Sequence, residues 1–355
     1  GSRNTATGSF ALLFNIDGNN NTATGYDALW RNTTGYGNTA NGTYALSNNT
    51  TGYSNVAVGV SALYSNETIS NLVAIGDSAL LNNGIGATGP FEAHYNTALG
   101  SKALFSNTTG YRNTANGYQA LYSNVDGNFN TANGPSALYS NTTGSYRSGF
   151  GYSANSLSGA YNNSTGVGYN ADCSASNTVV VGNPSVSSIG GQVGWTTLSD
   201  ARFKKNIRKD EVRGLEFITG LTPVTYNYDI RARENWKETN YGEKNTAEWE
   251  GKYDIEKLRM SGFIAQDVEA LAKEIGYDFS GVDAPKNDKD FYGLRYAAFV
   301  VPLVKGMQQQ QEQIELQQAV IEIQQNEIHY LKEANASSNE SIKEIKAHLN
   351  LQTKK

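Results

Sequence analysis

Ser199 and Lys204 stand five residues apart in "TTLSDARFKKNI", residues 196–207. A serine hydroxyl is a weak nucleophile until a base takes its proton. The chain has three histidines, His94, His329 and His348, and none is near this stretch in sequence. A lysine serves as the base when burial or neighbouring cations lower its pKa, and Arg202 and Lys205 flank Lys204. Residues five apart do not share a helix face, so the pair meets only in a turn or across subunits. On residue types alone, such a basic run is more often solvated surface, and the case for chemistry depends on what surrounds it.

Other chemistries find little support. Cys173 is the one cysteine, so no intrachain disulfide forms. No metal-ligand cluster, phosphate loop or nucleotide motif is present, and neither a metal nor a cofactor is expected. The net charge of −5 offers no basic field for nucleic acid. No apolar run reaches the roughly 20 residues that span a bilayer, and no signal peptide is visible. A glycan hydrolase needs paired carboxylates, whereas the seven acids of residues 1–198 are scattered. The chain opens Gly1-Ser2 without a methionine, so further sequence is expected ahead of it.

The element that carries this stretch divides the chain. Residues 1–198 hold five Lys/Arg (Arg3, Arg31, Lys102, Arg112 and Arg147), and the other 23 follow. The first half is instead a repeat: "NTATGYDALWRNTTGYG", "NTANGTYALSNNTTGYS", "NTANGYQALYSNVDGNF". One glycine recurs every 17 residues from Gly8 to Gly76, resumes after a step of 24 at Gly100, continues to Gly168, and ends with a step of 14 at Gly182. An alanine precedes it by two, and Ala-Leu follows it by three and four. Disordered low-complexity sequence would not keep this phase. Two glycine corners in 17 residues fit one coil of a parallel β-roll, with two short strands and two tight turns. At about 4.8 Å per coil the roll would be a rod on the order of 50 Å long. The alanines fit a thin interior. The leucines and the aromatics after them (Trp30, Tyr64, Phe105, Tyr122 and Tyr139) are expected on a second face that needs covering. Asn32, Asn49, Asn107 and Asn141 match the glycosylation sequon, but read better as turn residues stacked in register. The seven extra residues around 82–95 read as a surface bulge, though loops on repeats also bind. Tyr36, Tyr53 and Tyr111 read as ladder packing before sugar stacking.

The "NTAxG…AL" units and the closing "NTVVVGN" (177–183) resemble the head repeats of trimeric autotransporter adhesins, over about residues 4–183. The resemblance implies a trimer of rolls packed side by side, which would cover the Leu/aromatic face. The family's unit is usually shorter than 17 residues.

Beyond 199 the chain reads as a mixed α/β globule. "LTPVTYNYD" (221–229) alternates like a strand. Residues 259–276 read as a strand running into a helix, with Asp267 near its start, Gly276 as its stop, and Val268, Leu271 and Ile275 on one face. The polar stretch 230–257 reads as a loop excursion. From 303 a heptad sets in. Met307, Ile314, Ile321, Ile328, Asn335, Ile342 and Leu349 form one seam position; Gln310, Gln317, Gln324, Leu331, Ser338, Ile345 and Gln352 form the other. This is a coiled coil with a polar-weakened core, expected to break near "EANASSNE" (333–340); the heptads alone leave two or three strands open, and three are expected because the upstream half also reads as a trimer.

The ordered motifs "LSDARFKKNI" (198–207), "GLEFITGLTPVTYNY" (214–228), "GFIAQDVE" (262–269) and "YGLRYAAFVVPLVKGMQ" (292–308) resemble the endosialidase-type self-cleaving intramolecular chaperones of phage tail spikes and fibres, over about residues 196–335. After "AQDVE", this chain has "LAKEIGYDFSGV" where the family often carries a Pro-containing acidic stretch. The resemblance implies Ser199 as nucleophile, Lys204 as general base, Leu198–Ser199 as the scissile bond, and Asp200 and Arg202 as supporting residues. The expected fold class is a mainly β N-terminal half, a trimeric parallel β-roll of ~17-residue coils, then an α+β chaperone domain and a coiled coil. The expected domains are roll 1–183, linker 184–198, chaperone 199–302 and coiled coil 303–355. The expected function is a homotrimeric phage-type tail fibre whose chaperone drives trimerisation and folding and then cuts itself off. Its place would be the virion or an extracellular surface after synthesis in a host cytoplasm, and its roll would meet a cell-surface glycan or protein receptor, with no nucleic acid and no membrane insertion. The alternative is a bacterial adhesin or injection-system fibre that keeps the domain as an uncleaved cap. The ending "LQTKK", with no anchor barrel after the coil, favours the first.

Overall fold

Each copy of the 17-residue unit folds into one coil, and each coil contributes one short strand. In the computed structural model, which describes residues 1–157, 160–242 and 248–352, eleven such strands among the described residues run from Thr5–Thr7 to Thr178–Val181. All pair in parallel and in chain order, forming one sheet. The register follows the repeat: Ala23 pairs Ala40, Ala57 pairs Ala74, and Ala74 pairs Ala98 across the long step. The repeated glycine is required twice over. Gly42 sits at φ +139°, and a Cβ there would come within 2.5 Å of the Gly59 carbonyl oxygen in the next coil.

The Ala-Leu side of the coil differs from expectation. It bonds coil to coil (Leu29 N–H to Ala45 O, Leu46 N–H to Ala62 O, 3.0 Å each), yet it is not a second strand. Ser61 and Leu63 show why, with φ +55° and +54° around Ala62; left-handed residues in alternation turn the chain where a strand would run straight. That turn points the leucines inward. Leu29, Leu46, Leu63, Leu104, Leu121 and Leu138 are fully buried against the strand alanines within a single chain. They therefore need no neighbouring roll to cover them. The aromatics after them stay outside and stack, with Phe105, Tyr122 and Tyr139 at ring spacings of 5.1 and 5.2 Å.

The sequon asparagines are buried too. Asn49 donates from Nδ2 to Asn32 Oδ1 at 2.8 Å and to Gly52 O at 2.9 Å, and the pattern repeats from coil to coil. A second ladder runs beside it, in which Asn21 Oδ1 accepts the Asn38 N–H and Asn38 Oδ1 the Asn55 N–H. Amides in such ladders satisfy buried backbone groups that a thin Ala/Leu core cannot. The long step at 82–95 breaks the first ladder at one rung: Asn83 Nδ2 turns to Ala93 O at 3.1 Å, Asn66 Oδ1 is left buried without a hydrogen-bond partner, and the ladder resumes where Asn107 Nδ2 reaches Asn83 Oδ1 at 2.8 Å. Arg147 ends the second ladder. It stands in the asparagine position, fully buried, and donates to Asn141 Oδ1 at 2.9 Å and Asn155 Oδ1 at 3.0 Å. Burial pulls its pKa down to about 10.

The chain divides into two compact units. The first joins the roll, Gly1–Val193, with Asn227–Met260 and Pro285–Phe291. The stretch read as a loop excursion contains a helix, Ile230–Tyr241. Asp229 caps its start by accepting the Ala232 N–H, and Gly242 ends it in the left-handed conformation. Its apolar period is weak because what it buries is partly charged: Lys237 pairs with Asp172, and Lys252 beyond it is buried beside Glu234. Residues 243–247, part of that same stretch, lie outside the described residues.

The second unit comprises Gly194–Tyr226, Ser261–Ala284 and Tyr292–Lys355. We number its helices α1 (Leu215–Gly220), α2 (Ala265–Glu274) and α3 (Val300–Gln352). Phe217 of α1 and Val268 and Ala272 of α2 close a core with Phe279 and Phe299. Strands occur at Val224–Tyr226 and Met260–Gly262, the second running into α2 as its sequence predicts. The α3 helix is continuous through 333–340, where a break is expected from its sequence; six of those eight residues are good helix formers (Glu333, Ala334, Ala336 and Glu340) or exposed serines (Ser337 and Ser338). Residues 353–355 of the expected coiled coil lie outside the described residues. Along α3, Ile314, Ile321, Ile328, Ile342 and Ile345 are all exposed on the single chain.

Candidate self-cleavage site

The stretch 199–204 is a tight reversal. Ala201–Phe203 form one 3-10 turn, capped by Asp200, whose Oδ1 accepts the Arg202 N–H at 2.9 Å. The Phe203 and Lys204 N–H groups bond back to the Asp200 and Ala201 carbonyls, each at 3.1 Å. The reversal returns residue 204 to residue 199, and Lys204 Nζ lies 2.7 Å from Ser199 Oγ as a hydrogen-bond donor. The requirement for a turn is thus met within one chain. Asp200 and Arg202 hold that turn. Their side chains pair at 2.6 Å, and the Arg202 guanidinium lies over the Phe203 ring. The Arg202 side chain, and then its N–H, hold the Asp200 carboxyl below the usual carboxylate range, while Asp200 raises Arg202. Leu198, Ser199 and Lys204 are all solvent-facing, Leu198 at 75% exposure.

A second cluster was not anticipated. At the C-terminal end of the roll, Asp172 accepts from the Ser156 N–H at 2.9 Å and from Lys237 Nζ at 2.7 Å, its side chain only 3% exposed. Trp249 meets the Tyr169 ring edge-on at 5.5 Å. A signal for it existed in the sequence: Ala171-Asp172 falls where the repeat has Ala-Leu. Among the described residues, no helix is long and apolar enough to cross a membrane.

Residues 199–277 match the family model described as the chaperone of endosialidase. The chain carries an endosialidase-type chaperone domain behind a repeat roll. No curated protein and no solved structure matches the chain. The match begins at Ser199 itself, the first residue of the reversal. The matched residues therefore include the turn that brings Ser199 and Lys204 together, and the turn precedes the packed core around Phe217.

Proposed function

We propose that the protein is a homotrimeric surface fibre, of the phage tail-fibre or spike type, whose chaperone domain assembles and folds the roll and then separates from it by cutting Leu198–Ser199. The observation that carries this reading is the 2.7 Å contact between Lys204 Nζ and Ser199 Oγ. The same spacing serves a neutral lysine accepting the hydroxyl proton. Ser199 Oγ attacks the Leu198 carbonyl carbon as Lys204 takes its proton. The proton passes to the amide nitrogen, the C–N bond breaks, and an ester joins Leu198 to the Ser199 oxygen. Water then hydrolyses the ester, leaving a Leu198 carboxylate and a Ser199 amino terminus with its hydroxyl restored.

A lysine base acts neutral, and burial is what favours the neutral form. Ser199 and Lys204 face solvent on one chain, so in this reading assembly covers the pair and times the cut. The uncovered isoleucine seam of α3 supports a multi-stranded coil, and three strands suit the roll repeat. A second reading, a fibre that keeps its domain as a permanent cap, is favoured by the nearly dry Asp172–Lys237 pair, which ties residues beyond the cut to the roll.

Intact-mass measurement of wild type beside Ser199→Ala and Lys204→Ala tests the proposal. Two wild-type fragments meeting at Leu198–Ser199, with both variants whole, are expected. A wild type that stays whole after it has assembled would leave the permanent cap as the function.

A further inference from the structure

The helix Ile230–Tyr241 and the last coils of the roll line a half-open cleft of about 580 Å³. That is the size of a small-ligand site. Its roll wall combines three kinds of group. The first is an aromatic face. The Phe105–Tyr122–Tyr139 stack ends at Tyr139, because the next coil has Ser156 where these three coils have a ring. Tyr139 and Ser156 both line the cleft, as do Tyr152 and Tyr169, stacked at 5.7 Å, with Tyr152 54% exposed. The second is a row of short polar side chains, Ser153 and Asn170, at the same position of successive coils. The third is the Asp172 carboxylate, held by Ser156.

Two groups on this wall meet partners from beyond the cut. Lys237 takes the Asp172 carboxylate and Trp249 meets Tyr169, while Arg233 lines the opposite wall. A leucine at position 172 would extend the roll's own core. The aspartate there departs from the repeat: one of its oxygens serves the roll by accepting the Ser156 N–H, and the other is taken by Lys237.

We propose that the last coils of the roll form a binding site for neutral oligosaccharides, covered in the uncut chain by the helix Ile230–Tyr241 and Trp249. Ring faces meet the apolar face of a pyranose. A carboxylate accepts sugar hydroxyls, and serine and asparagine both donate and accept. Once Lys237 has left, Arg147 inside the roll still acts on Asp172, and the carboxylate oxygen that Lys237 held is free to accept the hydroxyls of a neutral sugar. The uncovering step rests on the self-cleavage reading above; the site itself does not. Cleavage then does more than free a used chaperone: it switches binding on.

The test measures binding of four probes, cellohexaose, chitohexaose, maltohexaose and mannohexaose, by calorimetry. Three samples are compared: the released roll, the uncut Ser199→Ala chain, and an uncut Ser199→Ala chain that also carries Lys237→Ala and Trp249→Ala. The released roll should bind at least one probe, the uncut chain at least tenfold more weakly, and the triple variant should regain binding. Asp172→Asn should cost the released roll at least tenfold in affinity at unchanged melting temperature. If mass spectrometry shows no cut, the cleavage reading fails, and the triple variant still reads the site. Equal binding by the uncut chain, or no binding of any probe by both the released roll and the triple variant, would overturn the proposal.

Discussion

The roll and the helix α3 bury their apolar residues in opposite ways. In the roll every leucine of the Ala-Leu unit is inside its own coil, and the polar groups that a thin core leaves unpaired are met by two asparagine ladders. Along α3 the isoleucines at heptad spacing lie open on the single chain. One region is complete as a single chain; the other leaves an apolar seam open, which the proposed coil would close. The difference separates two jobs. A stack of near-identical rungs has little to fix which rung pairs with which, and parallel pairing forms slowly. A region whose core is missing until copies meet can bring chains together first. In the proposed function the roll, once formed, would be held by barriers that no longer need the helper.

Breaking the roll's own rules should have the largest effect. Gly42→Ala places a Cβ 2.5 Å from the Gly59 carbonyl at φ +139°, and the roll should fail to accumulate as a folded species by circular dichroism and limited proteolysis. Next comes the open seam. Ile321→Asn puts an amide into the core of the coil and should abolish the trimer in sedimentation, while the roll's coil-to-coil contacts stay untouched. If the cut awaits assembly, fragments should then form at least tenfold more slowly.

Asn49→Ala is milder. It removes one rung of a ladder and leaves Asn32 Oδ1 short of its donor, at an expected cost of about 2–4 kcal/mol, read from the unfolding transition of the assembled protein. Asp200→Asn is the smallest. It weakens the turn that brings Lys204 to Ser199, and cleavage should slow several-fold with no change in trimer yield. The pH sign follows from the depressed Asp200 pKa. Its hold on the turn is fully present above the ordinary carboxylate value of about 4 and fades only below it. Wild-type cleavage should therefore lose this support in acid, while Asp200→Asn shows no such step.

Much of this contrast is legible in the residues. The phase of Gly8 to Gly182 specifies the coils and their register, and the heptad of Met307 to Leu349 specifies a long helix. Two features were not legible, for physical reasons. Period alone places the leucines outside; their left-handed backbone, which turns them inward, is not encoded in hydropathy. The helix Ile230–Tyr241 lacks an apolar stripe because it buries Lys237 against Asp172, so only its caps, Asp229 and Gly242, announce it. At the site, the reversal over 200–204 is a local motif of Asp200 and Arg202 and could be anticipated. The covered cluster at the roll's end joins residues 65 apart and left only one trace, an aspartate in a leucine's place.

The central claim is that the roll needs the chaperone domain to fold and not to stay folded. The direct measurement is the yield of trimer by sedimentation after unfolding in guanidinium and dilution, for the uncut Ser199→Ala chain and for the released roll side by side. The account predicts recovery of trimer from the uncut chain and little or none from the released roll, although both resist unfolding equally beforehand. Equal recovery from the roll alone would contradict it.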